Sequence, residues 1–83
     1  MRLVYFAWVR ERIGRTDEDV ELPETVATVA DLVRWLKSRG EEYEYAFENE
    51  AVVRAAIDHV HAKPDAAVAG AREIAFFPPM TGG

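Results

Sequence analysis

The sequence contains no cysteine. That removes thiol nucleophiles, cysteine-ligated zinc or iron–sulfur sites and disulfide scaffolds together. Its two histidines, His59 and His61, alternate along a short stretch, so both rings could face one way as metal ligands. No third histidine completes such a set, and the nearby Asp58 and Asp65 have no ligand spacing. They read as surface histidines, and no metal is expected. A basic excess is also missing: ten Lys and Arg stand against fifteen Asp and Glu, a formal net charge of −5, which disfavours nucleic acid as a partner. No apolar run approaches the roughly 20 residues that span a bilayer. The N-terminus lacks the charged, apolar and cleavage regions of a secretory signal, so a cytoplasmic protein without membrane association is expected. The glycines form no phosphate-binding loop and no carboxylate pair is committed to acid–base work, so no bound cofactor is expected.

What remains is a chain of 83 residues, 49% of them hydrophobic and 30% charged. Those proportions suit one folded domain with a modest core rather than a disordered segment. Charge is uneven along it. Arg2, Arg10, Arg12 and Arg15 lie early, and Glu41, Glu42, Glu44, Glu48 and Glu50 crowd the middle. A charge run of that kind is most simply a solvated surface.

Leu3 to Val9 reads as a strand with apolar residues on both faces, Leu3, Tyr5, Ala7 and Val9 against Val4, Phe6 and Trp8, which predicts a central strand. Arg10 to Arg15 reads as a loop turning at Gly14. Asp17 to Leu22 predicts a second strand, ended by Pro23 and paired antiparallel with the first. Thr28 opens the clearest helix: its hydroxyl caps the first turn, Asp31 stands at the third helical position, and Val29, Leu32, Val33 and Leu36 make one apolar stripe. Lys37 and Arg39 suit its C-terminal end, and Gly40 is placed in the left-handed position that stops it.

Glu41 to Glu48 predicts a short second helix with Tyr43 and Phe47 on one face. Asn49 and Glu50 turn into a strand over Val52 to Ile57. Val60 opens a very short edge strand, with a turn at Lys63, Pro64 and Asp65 after it and another at Gly70. Ile74 to Phe77 is the last strand, ended by Pro78 and Pro79, neither of which can donate a ladder hydrogen bond. The order gives an α+β sandwich in which one main helix covers one sheet face. Trp8, Trp35, Phe6 and Phe77 are the aromatic residues of a core by default. One helix covers one face only, however, so some aromatic surface should stay exposed for a partner.

The most informative stretch is Phe76-Phe77-Pro78-Pro79-Met80-Thr81-Gly82-Gly83. The two prolines hold the chain extended, and Thr81, Gly82 and Gly83 make a tip almost without side-chain bulk. Such a tip fits a slot that rejects any Cβ. The group it delivers is the Gly83 carboxylate. A free carboxylate is a poor acyl donor; adenylation makes it reactive, and a sulfur donor then converts it to a thiocarboxylate. The blander reading is a frayed terminus, but a glycine pair projected by two prolines off a strand is less common than a bare pair.

Three blocks carry a resemblance over nearly the whole chain: Val4-Tyr5-Phe6-Ala7-Trp8-Val9-Arg10-Glu11-Arg12-Ile13-Gly14, Thr28-Val29-Ala30-Asp31-Leu32, and above all Ile74 to Gly83. The chain resembles the small, sulfur-carrier subunits of molybdopterin synthase, a ubiquitin-like family. The resemblance implies a β-grasp fold over 1–78, with a mixed sheet, one main helix and a flexible tail over 79–83. It implies that a partner resembling the ubiquitin-activating enzymes uses ATP to adenylate Gly83, and that persulfide sulfur displaces AMP. The loaded tail would enter the large synthase subunit, within a heterotetramer, and give sulfur to a cyclic pterin precursor. Phe77, Pro78, Pro79, Met80, Thr81 and Gly82 would bind the partner, and the chain alone would have no turnover.

Two departures from the family pattern stand out. Ile57-Asp58 replaces a usual Val-Asn, and Val68 to Glu73 replaces an acidic turn while keeping a glycine. The alternatives are a thiamine-pathway sulfur carrier, which is typically shorter and lacks Phe-Phe-Pro-Pro, and a ubiquitin-like modifier or interaction module with an inert tail.

Overall fold

The computed structural model describes residues 1–79. Strand β1 is Arg2–Tyr5, and it turns Leu3 and Tyr5 inward with a period of two. The strand expected to run to Val9 stops there. Phe6 stays extended, Ala7 takes φ 53°, and the chain enters helix α1 at Ala7–Ile13, in place of the expected loop. The apolar residues after Tyr5 belong to this second element. Val9 and Ile13 are buried four positions apart, one helical turn. Arg10 and Arg12 occupy the last turn, and Gly14 closes it at φ 84°, its N–H donating to the Arg10 carbonyl at 2.8 Å. What looked like a strand with two apolar faces is a short strand followed by a helix.

Strand β2 is Asp17–Asp19, shorter than expected, and pairs antiparallel with β1 so that Glu18 stands opposite Leu3. Helix α2 is Val29–Lys37 and has the expected capping box: Thr28 Oγ1 accepts from the Asp31 N–H at 3.2 Å, and Asp31 Oδ2 accepts from the Thr28 N–H at 3.1 Å. A further bond from the Ala27 N–H leads the interactions that hold the Asp31 carboxyl below the ordinary carboxylate range, followed by those from Arg34 and Thr28. Val29, Leu32, Val33 and Leu36 are all buried. The stop at Gly40 is different from the expectation. Ser38 caps the helix, and Gly40, at φ 169°, is extended and leads into α3 at Glu41–Ala46. Tyr43 and Phe47 share the buried side of α3, as their spacing requires.

A single 3-10 turn, Glu50–Val52, precedes β3 at Arg54–Ile57, so that strand begins two residues later than expected. The two-residue turn Asp58-His59, at φ 47° and 71°, joins it to β4 at Val60–Ala62. Asp58 suits this place because Asp, like Asn, tolerates the left-handed region. Its Oδ1 also accepts from the Arg72 and Glu73 N–H groups, each at 2.9 Å, and so anchors the start of β5 at Glu73–Phe77. Gly70 turns the preceding segment at φ 80°.

The sheet order is β2-β1-β5-β3-β4, with β1 and β5 parallel and the other pairs antiparallel. Leu3, Tyr5, Ala55, Ile74 and Phe76 form the inner face and share one core with Leu32, Leu36 and Phe47. Each of the larger apolar side chains buried there contributes roughly 1.5–3 kcal/mol. A mixed sheet with parallel central strands, grasping one main helix between its hairpins, is the β-grasp fold. Among the described residues no helix is long and apolar enough to cross a membrane.

Candidate partner interface at the root of the tail

The face of the sheet opposite α2 is open. Strand alternation places Arg2 and Val4 of β1, Asp17 and Asp19 of β2, Arg54 and Ala56 of β3, His61 of β4, and Glu73, Ala75 and Phe77 of β5 on it. These residues separate into two ends. At one end Arg2 bridges β2 and β5, with Nη2 2.7 Å from Asp17 Oδ2 and Nε 3.6 Å from Glu73 Oε2. At the other, Val4, Ala56, Ala75 and Phe77 make a half-buried apolar strip.

This second end is the root of the tail. Because β1 and β5 run parallel, both finish there: the Phe6 N–H donates to the Phe76 carbonyl at 3.0 Å. Phe6 is 47% exposed, and one further step of alternation turns it away from the core. Phe77 lies opposite Arg54, and the His61 ring meets it edge-on at 6.2 Å. Pro78 and Pro79 follow directly, half-buried and outside any strand. Met80, Thr81, Gly82 and Gly83 lie outside the described residues, so the expected tip and its reactive residue are read from sequence alone.

Of the aromatic residues assigned to a core by default, Trp8 and Trp35 pack against it, whereas Phe77 lies on the open face and Phe6 is the most exposed. Its signal was Ala7 and Gly14: a helix bounded by that glycine and carrying Val9 and Ile13 inward makes Phe6 the last outward residue of the strand. His59 and His61 do not form a site. His59 sits in the β3–β4 turn and His61 on the strand, and among the described residues no three His, Asp or Glu side chains cluster around a possible metal ion.

A polar cluster holds the opposite, helix-covered side. Glu18 points inward from β2 with its side chain 8% exposed. Its Oε2 accepts from the Tyr43 hydroxyl at 2.5 Å and from the Tyr5 hydroxyl at 2.8 Å, and its Oε1 accepts from Arg39 Nη1 at 3.0 Å. Burial opposes the Glu18 charge, but the hydrogen bonds from Tyr43, Tyr5 and Arg39 outweigh it and hold the carboxyl below the ordinary range. Burial first, then the bond to Glu18, pushes the Tyr43 phenol up to about 12 and the Tyr5 phenol higher still. The cluster ties β1, β2, α3 and the segment after α2 together. A second tie joins α1 to α3, where the Arg12 guanidinium lies 4.6 Å from the Trp8 ring centre and 4.2 Å from that of Tyr45, and donates to the Tyr45 carbonyl at 3.1 Å. Neither arrangement holds a reacting group at the surface. Both set the shape that carries the tail.

The cleft between α2 and β4, lined by Val29, Val53, Ala55, Ala62 and Pro64 among others, has a volume of about 160 Å³. Small-molecule sites begin near ~300 Å³. A wider, shallow groove of about 440 Å³, lined by Met1, Val20, Leu22 and Val68 among others, lies at the far end of the sheet from the tail.

A β-grasp domain whose last strand emerges at the rim beside exposed aromatics, followed by two prolines, defines a ubiquitin-like carrier architecture. The chain belongs to the ThiS family, which it matches over residues 3–83. It is 32% identical over 83 residues to the molybdopterin synthase sulfur carrier subunit of Haemophilus influenzae, covering 100% of this chain and 99% of that one. Among solved structures, molybdopterin converting factor subunit 1 of Pyrococcus furiosus superposes with a TM-score of 0.74 at 28% identity, covering 95% of each chain. SAMP1 of Haloferax volcanii superposes at 0.72 and 25% identity over 100% of this chain and 98% of that one. The resemblance to molybdopterin synthase small subunits is thus borne out, and with it the β-grasp fold.

Proposed function

We propose that this chain is the sulfur carrier of molybdopterin synthase and that the Gly83 carboxylate is its reacting group. The observation that carries the reading is the end-to-end match to the Haemophilus influenzae carrier subunit. The parallel pairing of β5 with β1 supports it, because it delivers Phe77, Pro78 and Pro79 to the rim of the domain. Residues 1–78 are the folded carrier and 79–83 the delivered tail.

An adenylating partner joins the Gly83 carboxylate to the α-phosphate of ATP and releases pyrophosphate. A persulfide sulfur then attacks the acyl carbon and AMP leaves; a second thiol attacks the donor's own sulfur in the resulting acyl disulfide, forms a disulfide with it and frees the thiocarboxylate. The loaded tail enters the large synthase subunit, in an assembly of two small and two large chains, and its sulfur passes to the pterin precursor. Pro78 and Pro79 lower the ordering cost of that insertion, since an already extended chain loses less freedom on binding. Gly82 and Gly83 keep the tip narrow. Phe77, Met80 and Thr81 contact the partner along the way. The work takes place in the cytoplasm, where ATP is available.

The test combines the chain with its adenylating enzyme, ATP and a sulfur donor and reads the intact mass of the product. The wild-type chain gains the mass difference between sulfur and oxygen. Deleting Gly83 leaves the carboxylate roughly 3.5 Å short of its reach, and a C-terminal alanine adds bulk. Both variants keep the wild-type melting temperature and lose sulfur loading. Normal loading of either would move the chemistry away from Gly83.

A further inference from the structure

The open sheet face is charged against the grain of the composition at its tail end. Of the acids that the strands turn outward, Asp19 and Glu73 stand level with Arg2 at the end away from the tail, and Asp17 stands opposite Val4 on the β2 edge, across the sheet from His61; Arg2 neutralises Asp17 and Glu73. At the tail root the outward charged or titratable side chains are Arg54 and His61. Among the described residues neither has a carboxylate within 4.0 Å. Arg54 uses one N–H group on the Ala51 carbonyl at 3.2 Å, remains exposed, and turns the rest of its guanidinium to solvent. His61 is exposed on the edge strand with its ring against Phe77. In a chain with fifteen acids and ten bases, an apolar strip bordered on its β3–β4 side by the Arg54 guanidinium and the His61 imidazole, with no carboxylate beside either among the described residues, is a local exception.

We infer that Arg54 and His61 are the orienting rim of the docking surface, and that they fit a protein partner whose apolar seat for Phe77 is flanked by carboxylates. The inference rests on the sulfur-carrier reading and names the chemistry of the surface that receives the tail. The apolar strip formed by Val4, Ala56, Ala75 and Phe77 is nearly featureless and would allow rotated dockings. A tail that must enter a channel tolerates only one. Opposite charges at one border select that orientation, and they act mainly on encounter rate and register. The acids of the β2 edge, Asp17 and Asp19, lie across the sheet from Arg54 and His61 and disfavour the reversed docking by like-charge contact with the same carboxylates. A nucleic-acid backbone is excluded as the occupant, because those acids and the net charge of −5 would repel it.

The probe is the large molybdopterin synthase subunit of the same organism, with binding to the full-length chain followed by stopped-flow and calorimetry at low and physiological salt. Charge reversal by Arg54→Glu with His61→Glu should weaken binding about tenfold at low salt, mostly through the association rate, and the gap should narrow as salt rises. The neutral pair Arg54→Gln with His61→Gln should fall between wild type and reversal. Circular dichroism and melting should stay at wild-type values for both exposed pairs. Asp19→Lys, at the other end, should bind within about twofold of wild type. Binding of the reversed variant within that same margin, or an affinity loss that salt does not alter, would overturn the inference. Failure of the wild-type chain to bind the large subunit would overturn the sulfur-carrier reading itself, whatever the variants do.

Discussion

The Glu18 cluster and the tail root lie on opposite faces of one sheet and solve opposite problems. At Glu18 a charge is withdrawn from water, and two phenols and a guanidinium meet it. At the tail root, Phe6, Phe77, Arg54 and His61 keep apolar area and charge at the surface. Among the described residues every buried side-chain nitrogen and oxygen has a hydrogen-bond partner. The difference separates stability from function: changes on the covered face should act on folding, and changes on the open face on association.

The largest expected effect on stability is at the cluster. Glu18→Ala leaves the fully buried Tyr5 hydroxyl without its acceptor and Tyr43 and Arg39 without theirs, and should lower the unfolding free energy by about 3 kcal/mol. Chemical denaturation measures it, and the folded fraction should still load sulfur normally. A loss below about 1 kcal/mol would mean that the cluster is no more than a surface ion pair, and the contrast between faces would fail.

The pH dependence sharpens the same contrast. The Glu18 carboxyl is held low in the folded state, so its contribution is present above the ordinary glutamate value of ~4.3 and is lost as pH falls through the lower folded value. The phenols of Tyr43 and Tyr5 are held high, so the unfolded chain ionises first and stability falls as pH rises from ~10 toward the folded Tyr43 value of about 12. Melting temperatures should therefore drop on both sides of a broad plateau. Tyr43→Phe should flatten the alkaline side; an identical alkaline slope in that variant would remove Tyr43 as its cause.

The smallest expected effect on folding is the one with a large effect on binding. Phe77→Glu places a charge on the open face and should weaken association with both the adenylating enzyme and the large subunit by about tenfold or more, while the circular dichroism spectrum stays that of the folded domain. Unchanged affinity for both partners would remove Phe77 from the interface. Loss of the fold would assign it to the core.

Legibility followed the range of the interactions. The α2 capping box was readable because Thr28 and Asp31 are three residues apart and complete each other. The end of β5 was readable because Pro78 and Pro79 stop a ladder whatever surrounds them. The β1–α1 junction was misread because Tyr5-Phe6-Ala7-Trp8-Val9 satisfies both periods: β-rich composition favours a strand, while Val9 and Ile13 favour a helix. Arg12 settles that ambiguity in space, through Tyr45 and Glu48 more than thirty residues away. Gly40 was misread for a similar reason, since the start of α3 asked for an extended residue where the end of α2 alone suggested a left-handed one.

By itself the sequence determined the capped amphipathic helix and the proline-terminated last strand, because each rests on neighbours within a few positions or on a backbone group that proline removes. The chemistry proposed for the tail from Met80 to Gly83 likewise rests on sequence alone. Only the tertiary structure decided that Glu18, one acid among fifteen, turns inward onto Tyr5 and Tyr43, that Phe6 faces solvent, and that Arg54 and His61 border Phe77. The physical reason is that burial and charge pairing depend on strands brought together across the sheet. The order β2-β1-β5-β3-β4 places the first and last strands side by side at its centre.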